Sequence, residues 1–137
     1  MIRLMNKLKG FTIIELIVVI AIIAVLATIV MINVTSYIAK GKDSAIKGNM
    51  ASIQTIAATY YDEEATYVGL GSDASYAAAV AAITDADGTS IVDEFIAGGY
   101  CIEVVLNDTT SWCVDSTGYK GTTAECDVTT ADCAADS

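Results

Sequence analysis

Gly10-Phe11-Thr12-Ile13-Ile14-Glu15-Leu16-Ile17-Val18-Val19-Ile20-Ala21-Ile22-Ile23-Ala24-Val25-Leu26-Ala27 decides the fold, because Glu15 is its only formal charge and the apolar run continues beyond it. Residues 16–39 carry no formal charge. As a helix rising about 1.5 Å per residue they reach about 36 Å, enough to cross a hydrocarbon core of ~30 Å with some tilt. An ionised side chain inside such a span costs about 2.5–3.5 kcal/mol near its centre and less near an interface, so Glu15 calls for a partner. The next two dozen residues offer no cation. A cut after Gly10 would create one: it places a new α-amino group on Phe11, four residues before Glu15, and a second copy of the chain can offer that amine to the carboxylate.

The leader Met1-Ile2-Arg3-Leu4-Met5-Asn6-Lys7-Leu8-Lys9-Gly10 together with residues 11–27 resembles the prepilin signature of bacterial type IV pilins and type II secretion pseudopilins. The resemblance is dense over residues 7–27 and fades to a general pattern beyond residue 65. It implies cleavage between Gly10 and Phe11 by a prepilin peptidase, N-methylation of Phe11, and a role for Glu15 in docking the subunit into a helical filament. It also implies a polymerising ATPase and an inner-membrane assembly platform as partners.

Two plainer readings compete. An ordinary secretory signal has a basic start, an apolar core and a small-residue cleavage site such as Ala24-Val25-Leu26-Ala27. Glu15 interrupts that core, and the apolar run continues to Val34. An uncut membrane anchor is the other. Basic residues flank both ends of the span, with Arg3, Lys7 and Lys9 before it and Lys40, Lys42 and Lys47 after it, so charge alone leaves the orientation nearly even. The first flank usually dominates, and all four cysteines lie C-terminal to the span, which suits an oxidising exterior. The expected location is a single pass through the inner membrane with the C-terminus outside, and an extracellular filament after assembly.

The helix is expected to continue past the membrane. Ile46, Met50, Ile53, Ala57 and Tyr60 recur at helical spacing and form one apolar face. The domain reading is a leader at 1–10 that is removed, a long helix at 11–64 whose first part, 11–39, is the transmembrane and assembly segment, and an acidic head at 65–137. Gly41 and Gly48 inside the helix are candidate soft points or close-packing sites. Many type IV pilins carry a proline in this helix, but the chain has none, so an unbroken helix is the default. Gly69-Leu70-Gly71-Ser72-Asp73 reads as a turn, with Ser72 or Asp73 capping a short helix over 75–83, and Asp85-Ala86-Asp87-Gly88 reads as a second turn. Residues 90–97 read as a short helix or irregular, ended by Gly98-Gly99.

Residues 100–106 and 111–115 alternate like half-buried strands and predict a β-hairpin. A register with Cys101 opposite Cys113 puts both cysteines on one face and Ile102 and Trp112 on the other, and it needs an odd-length loop such as 106–108. Four cysteines allow three pairings, which spacing does not distinguish. Cys101 with Cys113 and Cys126 with Cys133 is the favoured set, the second pair closing the loop 127–132. The fold class is α+β: a long N-terminal helix packed on a small antiparallel β-sheet, as in pilins.

After Met50 the chain has fifteen acidic residues against one base, Lys120, a surface that repels nucleic acid and anionic lipid headgroups. The simpler reading is a solvated face. The segment Asp85-x-Asp87-Gly88-x-Ser90 gathers hard oxygen atoms for calcium but lacks the acidic positions of an EF-hand loop, so no cofactor or metal is assigned. Zinc is disfavoured because there is no histidine and no CxxC spacing. No nucleophile and base pair or phosphate loop stands out, and the adjacent acids Glu63-Glu64 and Asp93-Glu94 read as helix ends facing water, so no catalytic residue is assigned and no enzyme is expected. The sequence points to a homo-oligomeric pilus subunit serving adhesion, motility or DNA uptake. The alternatives are a secretion pseudopilin or a membrane-tethered binding module.

Overall fold

The computed structural model describes residues 10–122, 124–127 and 129–135, so Arg3, Lys7 and Lys9 of the leader lie outside the described residues. The elements in chain order are α1 (Ile13–Glu64), α2 (Ala74–Asp85), β1 (Thr89–Ile96), β2 (Gly99–Val105), β3 (Ser111–Asp115), β4 (Lys120–Thr122), β5 (Ala124–Asp127) and β6 (Asp132–Ala135). This is the α+β class expected, with α1 unbroken across its whole length. The chain divides into two units, residues 1–37 and 38–137. In the first, every described side chain is exposed. The second contains the core.

That core begins on the predicted face of α1: Ile46, Met50, Ile53 and Ala57 are fully buried and Tyr60 packs beside them. They meet Tyr76, Ala79 and Ile83 of α2 and Tyr100, Ile102, Val104 and Val114 of the sheet. Nothing approaches within 4 Å of a Cβ built on Gly41 or Gly48, so neither glycine serves a close contact within the chain. Asp73 is the N-cap of α2, its Oδ1 accepting from the N–H of Ser75 at 2.8 Å and of Tyr76 at 3.1 Å. The helix ends in a Schellman turn: Gly88 N–H donates to Ile83 O and Asp87 N–H to Thr84 O, with Asp87 at φ 64°. Gly88 is needed there because a Cβ would lie 2.6 Å from Ile83 Cγ2 and 3.0 Å from Ile83 O.

The sheet has order β1-β2-β3-β4, all antiparallel. Residues 90–97 are therefore a strand for nearly their whole length, and neither a helix nor irregular. An irregularity between Thr89 and Val92, with Ser90 at φ 49°, breaks the alternation that would have marked it. Ile96 pairs with Gly99, which makes Ala97-Gly98 the turn and places Gly99 inside β2. Asp93 faces the core side of β1 and accepts from the Tyr76 hydroxyl at 2.6 Å, so it does not sit at a helix end. Burial and this bond to Asp93 hold the Tyr76 phenol far above its usual pKa.

The β2–β3 hairpin keeps the predicted faces but not the predicted register. Cys101 lies opposite Asp115 and Cys113 opposite Glu103, while Ile102 meets Val114 and Val104 meets Trp112. The loop 106–110 is odd in length, closed by Leu106 N–H donating to Thr110 O at 2.9 Å. A shift of two residues preserves every side chain's face, but it moves Cys101 and Cys113 to diagonal positions, whose typical separation of about 7–8 Å exceeds the Cα–Cα reach of a disulfide. The pairing differs accordingly: Cys101 bonds Cys126, with Cα atoms 5.5 Å apart, and Cys113 bonds Cys133, at 5.9 Å. Cys126 and Cys133 sit opposite each other in the β5–β6 hairpin, and each reaches a different sheet strand.

The two disulfides thus bolt the terminal hairpin to the sheet face opposite the helices. Carboxylates of that face complete the join. Glu103 Oε2 accepts from Cys126 N–H at 3.2 Å, and Asp115 Oδ2 accepts from Cys133 N–H at 2.9 Å. Asp115, 2 % exposed, also receives Thr117 N–H, the Thr117 hydroxyl and Tyr119 N–H on Oδ1, which forms the β3–β4 turn. Asp43 of α1, another buried acid, accepts on Oδ1 from Asn107 N–H at 2.8 Å and Asn107 Nδ2 at 2.9 Å, while that same amide nitrogen donates to Ala86 O. One asparagine thereby ties α1, the end of α2 and the β2–β3 loop together.

Two outcomes follow from this packing. Lys120 is the only tryptic site after Lys47, so digestion without reductant should leave peptides 48–120 and 121–137 covalently joined, and their separation would contradict the observed pairing. Asp43→Ala, which strands two donors of Asn107, should cost the head about 1–3 kcal/mol in denaturant unfolding followed by the fluorescence of Trp112, the single tryptophan; Asp43→Asn, which keeps an acceptor oxygen, should cost less.

Candidate functional site

The N-terminal site is assembled by the first turn of α1. Thr12 precedes the helix, and its carbonyl accepts from Leu16 N–H at 3.3 Å. The Glu15 carboxylate turns back so that Oε2 accepts from Thr12 N–H at 2.9 Å and from the Thr12 hydroxyl at 3.0 Å, while Glu15 N–H donates to Thr12 Oγ1 at 3.3 Å. This is a capping box, in which the residue before the helix and the third residue within it satisfy each other's free backbone donors. The sequence carries its signal as Thr-x-x-Glu, a spacing that the search for a cation passes over. Glu15 therefore has a partner within its own chain, though not a cation, and the N-terminal end of the helix dipole also favours its charge.

Gly10 and Phe11 lie immediately outside the helix and are exposed, Phe11 at 87 %. A scissile bond between them would be open to an approaching peptidase, and the helix would begin beyond it. The Thr12 N–H belongs to the peptide bond with Phe11, so the box survives loss of the leader. Beyond Glu15 the helix is long and apolar enough to cross a membrane. Leu16, Ile20, Ile23, Leu26 and Ile29 are each more than half exposed, and shallow apolar grooves run along Val18–Leu26 and Ile23–Val34. Such a surface is a membrane or protein contact in waiting.

The head offers less chemistry. In the segment carrying Asp85, Asp87 and Ser90, Asp87 forms an ion pair with Lys42, and residues 89 and 90 already belong to β1. Both partners of that pair are well exposed, so it contributes little to stability. Among the described residues no three histidine, cysteine, aspartate or glutamate side chains gather as a metal site. All four cysteines are consumed in disulfides. Asp43, Glu103, Asp115 and Asn107 are the working polar residues that sequence reasoning missed. Asp43 could have been found, since it continues the buried face of α1 one step before Ile46.

Thr12→Val removes the hydroxyl of the capping box and keeps the backbone donor. It should weaken the helix start by about 0.5–2 kcal/mol, seen as faster amide hydrogen exchange confined to the first turn of α1 in detergent micelles. Unchanged exchange would show that the box does not hold the turn.

Compared with known proteins, the chain matches the prokaryotic N-terminal methylation motif over residues 5–31. No curated protein and no solved structure gives a significant match. The chain thus carries the N-terminal motif characteristic of type IV pilin-like proteins, on a long apolar helix joined to an α+β head, an arrangement consistent with a non-catalytic structural protein.

Proposed function

We propose that this chain is the structural subunit of a type IV pilus-like filament, stored in the inner membrane with its C-terminus outside and assembled through its N-terminal helix. The observation that carries the reading is the methylation motif, matched over residues 5–31, together with the exposed apolar side chains of the first part of α1. A prepilin peptidase cuts between Gly10 and Phe11, Phe11 is N-methylated, and the pilus assembly machinery moves the helix from bilayer into a helix bundle. Lipid tails are as apolar as leucine, so this transfer gains little from the hydrophobic effect and must be driven by packing and polar contacts.

Glu15 supplies the polar contact. In the bilayer its charge is held by Thr12 N–H and hydroxyl, and in the filament the Phe11 amine of a neighbouring subunit adds an opposite charge. The head, stapled by two disulfides, presents an acidic outer surface suited to the cell exterior. Adhesion, motility and DNA uptake are outputs open to such a fibre. Secretion is the output if the same subunit builds a short pseudopilus.

Glu15→Ala should leave leader cleavage and membrane insertion intact while cutting the yield of sheared surface filaments severely. Glu15→Gln keeps acceptors for Thr12 but no charge, and it should assemble poorly as well. Full yield from Glu15→Gln would show that the local cap and not the charge is what assembly needs, and full yield from both variants would overturn the role given to Glu15. A chain that stays monomeric with its leader attached would instead be a tethered binding module.

A further inference from the structure

A cleft of about 260 Å³ opens in the head, lined by Gln54, Tyr67, Tyr100, Asp115, Ser116 and Gly118. Tyr100 is only 3 % exposed, yet among the described residues its hydroxyl meets no hydrogen-bond partner. Among the described residues no fully buried side-chain nitrogen or oxygen lacks a partner, so the hydroxyl is the part of Tyr100 left open to the cleft. Burial, together with Tyr67 and Asp115 nearby, holds that phenol above its usual pKa, and it remains a neutral hydroxyl.

Two more oxygens meet no partner among the described residues. Gln54 Nε2 donates to Tyr119 O at 3.2 Å, which fixes the amide and leaves Oε1 without a partner among the described residues. Ser116 uses its backbone N–H on Tyr100 O at 3.0 Å, and among the described residues its hydroxyl meets no partner. Asp115 brings a negative charge to the cleft wall, and its four hydrogen bonds all come from uncharged donors. Among the described residues no basic side chain lines the cleft, and the ion pair there, Lys42 with Asp87, does not involve it. The rings of Tyr67 and Tyr100 stand 4.9 Å apart at 64°, forming an aromatic corner.

We propose that this cleft binds an alkylammonium group, of the kind carried by a lysine side chain or a polyamine. Such a group has three N–H donors and no acceptor, which matches the free oxygens of Tyr100, Gln54 and Ser116. Its charge is drawn to Asp115 and to the tyrosine ring faces. An anion would be repelled, and a neutral polyol would use the hydroxyls but gain nothing from the carboxylate. Binding here is independent of filament assembly.

The test uses the full chain in detergent micelles, titrated with n-butylammonium chloride and with n-butanol as the uncharged isostere, followed by calorimetry and by backbone NMR shifts. The amine should move the resonances of Tyr67, Tyr100 and Ser116, should bind more weakly as salt is raised, and should outbind the alcohol. Tyr100→Phe should weaken it about tenfold, and Ser116→Ala, which leaves the core untouched, should weaken it measurably. N-acetyl-lysine amide and spermidine then separate a protein lysine from a free polyamine by which binds tighter. Equal binding of amine and alcohol, or no shift at these residues with tens of millimolar amine, would overturn the proposal.

Discussion

Apolar side chains along the first part of α1 stand exposed, and this constraint shapes what the molecule must do. Burying one isoleucine or leucine gains about 1.5–3 kcal/mol, so a run of this length is held out of water by tens of kcal/mol. A bilayer and a bundle of like helices meet that demand almost equally. The hydrophobic effect therefore forces the helix into one or the other without choosing between them, and the choice falls to polar groups at defined positions. Glu15 is the one formal charge in the segment.

The capping box changes how that charge is understood. With Thr12 N–H and hydroxyl on Oε2, the carboxylate serves as a helix start, and local donors lower the cost its charge would carry in a bilayer. In the assembly proposed, a neighbour's amine competes with, or adds to, contacts that already exist. The N-terminal turn thus holds its charge through contacts confined to residues 12–15.

Carboxylates also organise the head. Asp43, Glu103 and Asp115 each accept backbone N–H groups from another part of the chain, and Asp93 takes the Tyr76 hydroxyl. The acidic composition is thus only partly a solvated face, since several of those acids are joints. Their positions were only partly legible. The apolar face of α1 at Ile46, Met50, Ile53 and Ala57 could be read because helical period and burial coincide, and the Asp73 cap because it precedes an alanine-rich run. The hairpin faces could be read because period two survives a slip of two residues; for the same reason the register, and with it the disulfide pairing, could not. β1 was hidden by the irregularity near Ser90, and the β5–β6 hairpin by its polar sequence, since its stability comes from disulfides and sheet carboxylates more than from apolar burial.

At the N-terminus the Thr-x-x-Glu spacing was present in plain sequence, and only the prior demand for a countercharge obscured it. The central claim is that this helix becomes an assembly element once the leader is gone. The most direct measurement is the intact mass and N-terminal sequence of this chain recovered from sheared surface filaments. The account predicts a chain abundant in those filaments, beginning at N-methylated Phe11. A chain beginning at Met1 or Thr28, or one absent from the filaments, would contradict it.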